Sequence, residues 1–415
     1  MSEAPEPAEE RRECGRSLRE TVPLDSHAAW SPGTERANSV ELLEAQNESR
    51  ISWLVPLRRA RMAVSPFTFY RGAARIMTHD LATTPVSGLE TQICGDAHLA
   101  NFGSYASPER RLVFDLNDFD ETLPGPWEWD VKRLAASFVL AGRHNGLSGK
   151  ECGKITRRAV RGYREAMASF AEMRLTDICY SLIHTARIFK SAKDREVRQA
   201  GAALVKKSMR KNSLHALDKL TEEVDGEFRI RSEAPLLVPL RDVQDRSSRE
   251  KLADAALQAF EDYQKTVPDE VEHLLKRFRP VDFAVKAVGV GSVGTQCFIL
   301  HLEGRDRHDP LFLQIKEAVK SVLEEHLPQS RYQNSGRRVV EGQRLMQAVS
   351  DCFLGWTETR EADRHFYVRQ LKDWKGSDDV DNASAAMLDA LARARDWTLA
   401  RPHRDLRLPG LREDL

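Results

Sequence analysis

The sequence lacks any apolar run approaching the roughly 20 residues a membrane helix requires, and no signal-peptide pattern opens it, so neither a membrane partner nor secretion is expected. It has no excess of either charge, with 63 Lys+Arg against 63 Asp+Glu. Dedicated nucleic-acid binders ordinarily show a basic excess, so no nucleic-acid partner is expected. Its six cysteines (Cys14, Cys94, Cys152, Cys179, Cys297 and Cys352) lack the CxxC pairing of a zinc site. They fit the reduced thiols of a cytoplasmic protein. What is present is a chain of 415 residues, 41% hydrophobic and 30% charged. That is too apolar for a disordered polymer and too long for one small core, which predicts a two-lobed protein of enzyme size.

Patterning divides the chain. Residues 1–39 are rich in Glu, Arg, Pro and Ser and read as a disordered arm. From Val40 onward, Leu43, Ile51, Leu54 and Leu57 recur near helical spacing. Ser65 to Tyr70 reads as a loop, followed by a helix from Arg71 to Leu81. Gln92 to Asp130 reads as strand and loop, with a hairpin turning at Ser107-Pro108, a strand at Leu112 to Phe114 and an acidic loop. A helix starts near Trp127, and residues 150–278 are mostly helical. Alternation takes over at Val281, Phe283 and Val285, with apolar runs at Cys297 to Leu302 and Leu311 to Ile315. The expected organisation is therefore a helical lobe at 40–280, a β-rich lobe at 281–372 interrupted by a helix near Arg337 to Val349, and a helical return segment at 373–415.

Four constellations carry chemistry. In Cys94-Gly95-Asp96-Ala97-His98-Leu99-Ala100-Asn101, Asp96 and Asn101 stand at the Asp-to-Asn spacing of protein-kinase catalytic loops. The carboxylate would orient or deprotonate an attacking hydroxyl, His98 could assist it, and the amide oxygen would hold a metal. A turn capped by its own Asp and Asn is the plainer reading. Downstream, Asp115, Asp118 and Asp120 crowd together after a short strand, an arrangement that costs energy without a cation. Asp115 is the first candidate for Mg²⁺ and Asp118 the alternate; a solvated acidic loop is the plainer reading. Gly289-Val290-Gly291-Ser292-Val293-Gly294 is followed by a β-forming run rather than a helix, which favours a glycine hairpin over nucleotide phosphates and disfavours a dinucleotide fold. Finally, Lys316 ends an apolar strand one hairpin later, where a lysine could contact α/β-phosphates. Glu341 is its candidate partner, with Glu324 and Glu325 as alternatives. His403-Arg404-Asp405-Leu406 imitates a catalytic-loop start, but Gly410 stands where an Asn is needed.

Together these parts describe a phosphotransfer site in unusual order, catalytic and metal loops first, glycine loop and lysine last. That order predicts an α+β, protein-kinase-like two-lobed fold in circularly permuted form.

Several long motifs resemble bacterial domain-of-unknown-function family 2252. They are Ser65-Pro66-Phe67 with Tyr70-Arg71-Gly72, Cys94 to Gly103, Phe114 to Glu121, Pro126-Trp127-Glu128-Trp129-Asp130, and Tyr367 to Lys372. The resemblance covers roughly residues 45–400. Gly95-Asp96 with His98 and Asn101 is also similar to the catalytic loop of aminoglycoside and choline-type phosphotransferases, with Cys94 where those enzymes usually carry His. Trp129-Asp130-Val131 through Ala135 looks like the segment following their metal-binding Asp, which implies that Asp130 braces the catalytic loop. After Arg401 the familiar continuation of the first family is replaced by Pro402-His403-Arg404 and a short tail, implying loss of a closing helical segment.

The expected activity is transfer of phosphate from ATP, with Mg²⁺, to a small-molecule or protein acceptor the sequence does not name. Alternatives are nucleotidyl transfer to protein, a non-catalytic nucleotide-binding module, and a metallophosphoesterase using Asp96-Ala97-His98, although the Gly-Asn-His element of such enzymes is absent. Charge is unevenly placed: residues 91–130 hold eight acids and two bases, and residues 187–211 hold nine bases and two acids.

Overall fold

The computed structural model describes residues 8–243, 246–287, 289, 291, 293–359, 364–371 and 373–405. The fold is mixed α+β. Its main sheet is antiparallel and six-stranded, in the order Gly355–Thr359, Arg364–Gln370, Pro310–Ala318, Cys297–Glu303, Arg279–Lys286, Leu237–Pro239. The Pro310–Ala318 strand is central and buried along its whole length, as its near-continuous apolar run requires. Its register sets Lys316 directly between Cys297 on one neighbour and Tyr367 on the other. Side chains directly opposite one another share a face, so these three project from the same side of the sheet.

Helices Arg246–Gln264 and Asp269–Leu275 cover one face, packing Phe260, Tyr263, Val271 and Leu275 on Leu300, Leu313 and Phe366. A larger core unites the helices Trp127–His144, Gly149–Ala171 and Ala385–Ala400 with the hairpin Phe102–Ala106/Leu112–Leu116. Two short strands, Glu90–Ile93 and Leu123–Pro126, pair beside this core and flank the segment from Cys94 to Asn101. Among the described residues, no helix is long and apolar enough to cross a membrane.

The structure departs from the sequence expectations at identifiable places. Where a disordered arm is expected, Ala8–Thr21 is helical, supported by Arg12–Glu9 and Arg16–Glu13 pairs and tied to the body by Arg12–Glu172. The expected loop at Ser65 to Tyr70 is a helix, Pro66–Arg71. Ser65 and Thr68 make a capping box and Pro66 occupies the first turn, where its missing N–H is harmless. The stretch expected to be mostly helical contains four strands, Ile183–His184, Thr221–Val224, Glu227–Ile230 and Leu237–Pro239, the last of which joins the main sheet.

Candidate active site

The segment Cys94–Asn101 leaves the Glu90–Ile93 strand through a turn that only glycine accommodates. Gly95 has φ +77°, and a Cβ there would lie 2.5 Å from the Glu121 carbonyl oxygen and 2.8 Å from Leu323 Cδ1. The backbone N–H groups of Cys94 and Gly95 donate to the two carboxylate oxygens of Asp130, at 2.7 and 2.9 Å. Asp130 sits in the first turn of the Trp127–His144 helix, so a rigid element fixes the loop. Its role is the bracing one that the resemblance implies. His403, fully buried, places Nε2 3.4 Å from the same Asp130 carboxylate and hydrogen-bonds Tyr163 through Nδ1 at 3.0 Å. The false catalytic-loop start at residue 403 thus belongs to the brace.

Asn101 ties two loops together. Its Nδ2 donates to the carbonyl oxygens of Asp96 and Asp118, both at 3.0 Å. That orientation leaves Oδ1 as the free acceptor. The Cys94 thiol donates to the same Asp118 carbonyl at 3.2 Å, so the residue that replaces a histidine here serves the acidic loop.

Asp96 faces Arg133, whose Nε lies 2.5 Å from Oδ1. Arg133 is held by the Tyr70 carbonyl at 3.0 Å and lies over the Tyr70 ring at 4.4 Å. Burial pushes the Asp96 carboxyl up to about 7, with Glu121 and Asp118 adding to the effect and Arg133 opposing it. His98 Nε2 lies 3.8 Å from Asp96 Oδ2. Burial, together with Arg133 and Arg71, holds its pKa well below the ordinary imidazole range, so His98 is neutral.

The acidic loop separates the three aspartates. Asp115 lies in the strand and turns inward: its carboxylate accepts from the Leu116 and Ala348 backbone N–H groups at 2.8 and 2.9 Å, with Arg401 4.0 Å away. It does not line the cleft. Asp118 and Asp120 do, because they follow the strand and are free of its alternation. Lys316 Nζ lies 3.4 Å from Asp118 Oδ1 and 2.5 Å from Asp120 Oδ2. Burial alone would lower the lysine pKa, but the two carboxylates outweigh it and push it up. Burial would likewise raise Asp118, yet Lys316, Arg369 and Lys375 hold it at about 2. Tyr367 Oη donates to Asp120 Oδ1 at 2.9 Å.

Glu341 is not brought to Lys316; its nearest cation is Arg344 at 3.6 Å on its own helix, Ser335–Met346. That helix contributes Arg338 instead, which donates to the carbonyl oxygens of Asp120, Thr122 and Val319. Of the alternatives, Glu324 closes the capping box at Ser321, and Glu325 pairs with Arg75 and His79.

The glycine segment faces this acidic cluster. Gly289 (φ +73°) and Gly291 line the same cleft of about 170 Å³ as Asp96, Asn101 and Asp118. Residues nearer the N-terminus pin the segment's described residues: Arg61 donates to the Gly289 carbonyl at 2.6 Å, Arg50 to the Val293 carbonyl at 2.6 Å, and Ile51 N–H to the Gly294 carbonyl at 2.8 Å. Ser292 lies outside the described residues. A larger cavity of about 560 Å³, between Tyr332, Arg337 and Trp356, holds none of the expected residues.

Sequence reasoning missed Arg133, Arg338, Tyr367 and Arg50. Only the helical register of Arg133, three residues after Asp130, hinted that it shares the loop-facing side.

Comparison with known proteins gives one match. No curated protein and no solved structure matches the chain. A family model described as uncharacterized protein conserved in bacteria matches residues 50–408, a span that contains Asp96, Asn101, Asp118, Gly289, Gly291 and Lys316. The chain is therefore a member of that bacterial family, DUF2252.

Proposed function

We propose that the protein is an ATP- and Mg²⁺-dependent phosphotransferase acting on a hydroxyl or amine acceptor. The observation that carries this reading is the convergence, in one cleft, of Asp96, Asn101 and Asp118 with Gly289 and Gly291, segments far apart in the chain. On this reading the fold is kinase-like with its two parts in permuted order.

The donor set fits a hard cation. Asn101 Oδ1 is free, and the Asp118 carboxylate is 40% exposed and ionised at neutral pH. Oxygen ligands of this kind suit Mg²⁺. Asn101 and Asp118 would hold the ion, which when bound neutralises phosphate charge. Asp120 stays with Lys316 and Tyr367. The chain's own groups supply the rest. Asp96, tethered by Arg133, accepts the acceptor's proton at Oδ2 or orients the hydroxyl. Lys316, with Nζ 3.4 Å from Asp118 Oδ1, would meet phosphate oxygens beside that carboxylate. The Gly289–Gly294 segment, with Arg50 and Arg71 beneath it, covers the phosphates with backbone and positive charge. A neutral His98 serves as a polar wall rather than a second cation.

ATP consumption should be measured for wild type and Asp96→Asn across a panel of hydroxylated and aminated metabolites. The reading expects turnover with at least one acceptor, lost in Asp96→Asn. ATP binding without turnover in either protein would instead support the non-catalytic module. Mass spectrometry of the product separates phosphoryl from nucleotidyl transfer.

A further inference from the structure

Outside the cleft, two imidazoles and a carboxylate converge. His79 lies on the helix Ala74–Leu81, and Glu325 and His326 end the turn that follows the lysine strand. Their ligand atoms all lie within 4.8 Å of one another. His79 Nε2 is 2.9 Å from Glu325 Oε2, and the two histidine rings meet edge to face with centroids 4.4 Å apart. All three residues reach solvent, so an ion and a completing water have access.

We propose that His79, Glu325 and His326 form a binding site for a divalent transition-metal ion of the zinc type, which clamps the Ala74–Leu81 helix to the turn at residues 321–326. Two imidazole nitrogens and one carboxylate oxygen, with water in the fourth position, are the donor set of such ions, whereas Mg²⁺ and Ca²⁺ favour all-oxygen sets. The carboxylate is already oriented: Arg75, one helical turn before His79, places Nε 2.8 Å from Oε1 and 3.2 Å from Oε2. An oriented outer partner of this kind is what ligating carboxylates ordinarily possess.

The clamp has a mechanical consequence. The same turn receives the acidic loop: the Glu121 carboxylate accepts from Ser321 Oγ at 3.2 Å and from Val322 N–H at 2.8 Å. Leu323 packs with Leu81, Ile93 and Trp129 and fills the space in front of Gly95. An ion joining the turn to the helix therefore stiffens the support behind the catalytic loop without entering the cleft.

The test uses the full chain, stripped with a chelator and titrated calorimetrically with Zn²⁺ alone, then with Co²⁺ to read ligand-field absorption. One equivalent is expected to bind and raise the melting temperature. His79→Ala and His326→Ala should each weaken binding by more than about tenfold, while His308→Ala, an exposed histidine elsewhere, leaves it unchanged. Circular dichroism of each variant confirms that it is folded. Absence of stoichiometric binding to wild type would overturn the proposal. So would binding that persists unchanged in a folded His79→Ala/His326→Ala double variant.

Discussion

Asp96 is a carboxyl whose surroundings oppose its charge on one side and favour it on the other. Burial pushes it up to about 7, while Arg133 keeps it attached and aimed. As a proton acceptor it works only when ionised, so the proposed activity should rise as pH passes through about 7. A rate profile flat across that range would count against Asp96 as the base. Asp96→Asn should cost roughly 10²- to 10⁴-fold in turnover, the range for loss of general-base catalysis, with ATP affinity little changed. Gly95→Ala forces a left-handed residue to carry a Cβ into the Glu121 carbonyl. It should destabilise the fold by about 1–3 kcal/mol, read from denaturant melts. At this scale the sequence was legible where spacing sets position: Asp96 and Asn101 flank one turn, and both line the cleft. It was illegible where orientation decides. Asp115 and Asp118 are equivalent on paper, yet one lies in a paired strand and turns to Ala348 and Arg401 while the other faces the cleft. Arg133 and Arg338 went unmarked, since only tertiary packing makes them the grips on Asp96 and on the acidic loop.

Helices set the positions that matter at the next scale. Asp130, at the start of Trp127–His144, satisfies two buried N–H groups of the Cys94–Asn101 loop at once. Asp130→Ala leaves both without a partner, a loss of about 1–3 kcal/mol for each orphaned donor. Thermal or denaturant unfolding should show this loss, and His403, left beside an empty brace, should gain solvent exchange. A second buried acid lies between helices: Asp396, on Ala385–Ala400, occupies the space in front of Gly162 on Gly149–Ala171, where a Cβ would come 1.7 Å from Oδ2. Burial pushes Asp396 up to about 8, with Glu165 adding to it and the Trp397 N–H opposing. The folded chain therefore binds this proton more tightly than the unfolded chain. Its contribution is fully present below the unfolded pKa and is lost as pH rises from the ordinary carboxyl range to about 8. Asp396→Asn should flatten that part of the stability–pH curve; an unchanged slope would contradict the assignment. Element types were read correctly where periodicity was long, as in Trp127–His144 and the three strands at 279–318. The short Pro66–Arg71 helix escaped notice because its evidence is a cap rather than a period.

For the whole molecule, neutrality of net charge conceals a division of labour. Four acids of residues 91–130, Asp96, Asp118, Asp120 and Glu121, line the cleft, and cations from remote segments meet them there: Arg50 and Arg71 ahead of them, and Lys316, Arg338 and Arg369 behind. Sequence composition could locate the acids, since they fall within one stretch of the chain, but not the cations, which meet them only through the fold. The proposed chemistry rests on that meeting, with a metal–nucleotide replacing part of the internal pairing between Lys316 and the aspartates. The most direct test is a calorimetric titration of wild type and Asp118→Asn with ATP, each with and without Mg²⁺. The account predicts ATP binding to wild type that strengthens at least tenfold with Mg²⁺, and loss of that Mg²⁺ dependence in Asp118→Asn. Failure of wild type to bind ATP in the presence of Mg²⁺ would contradict it.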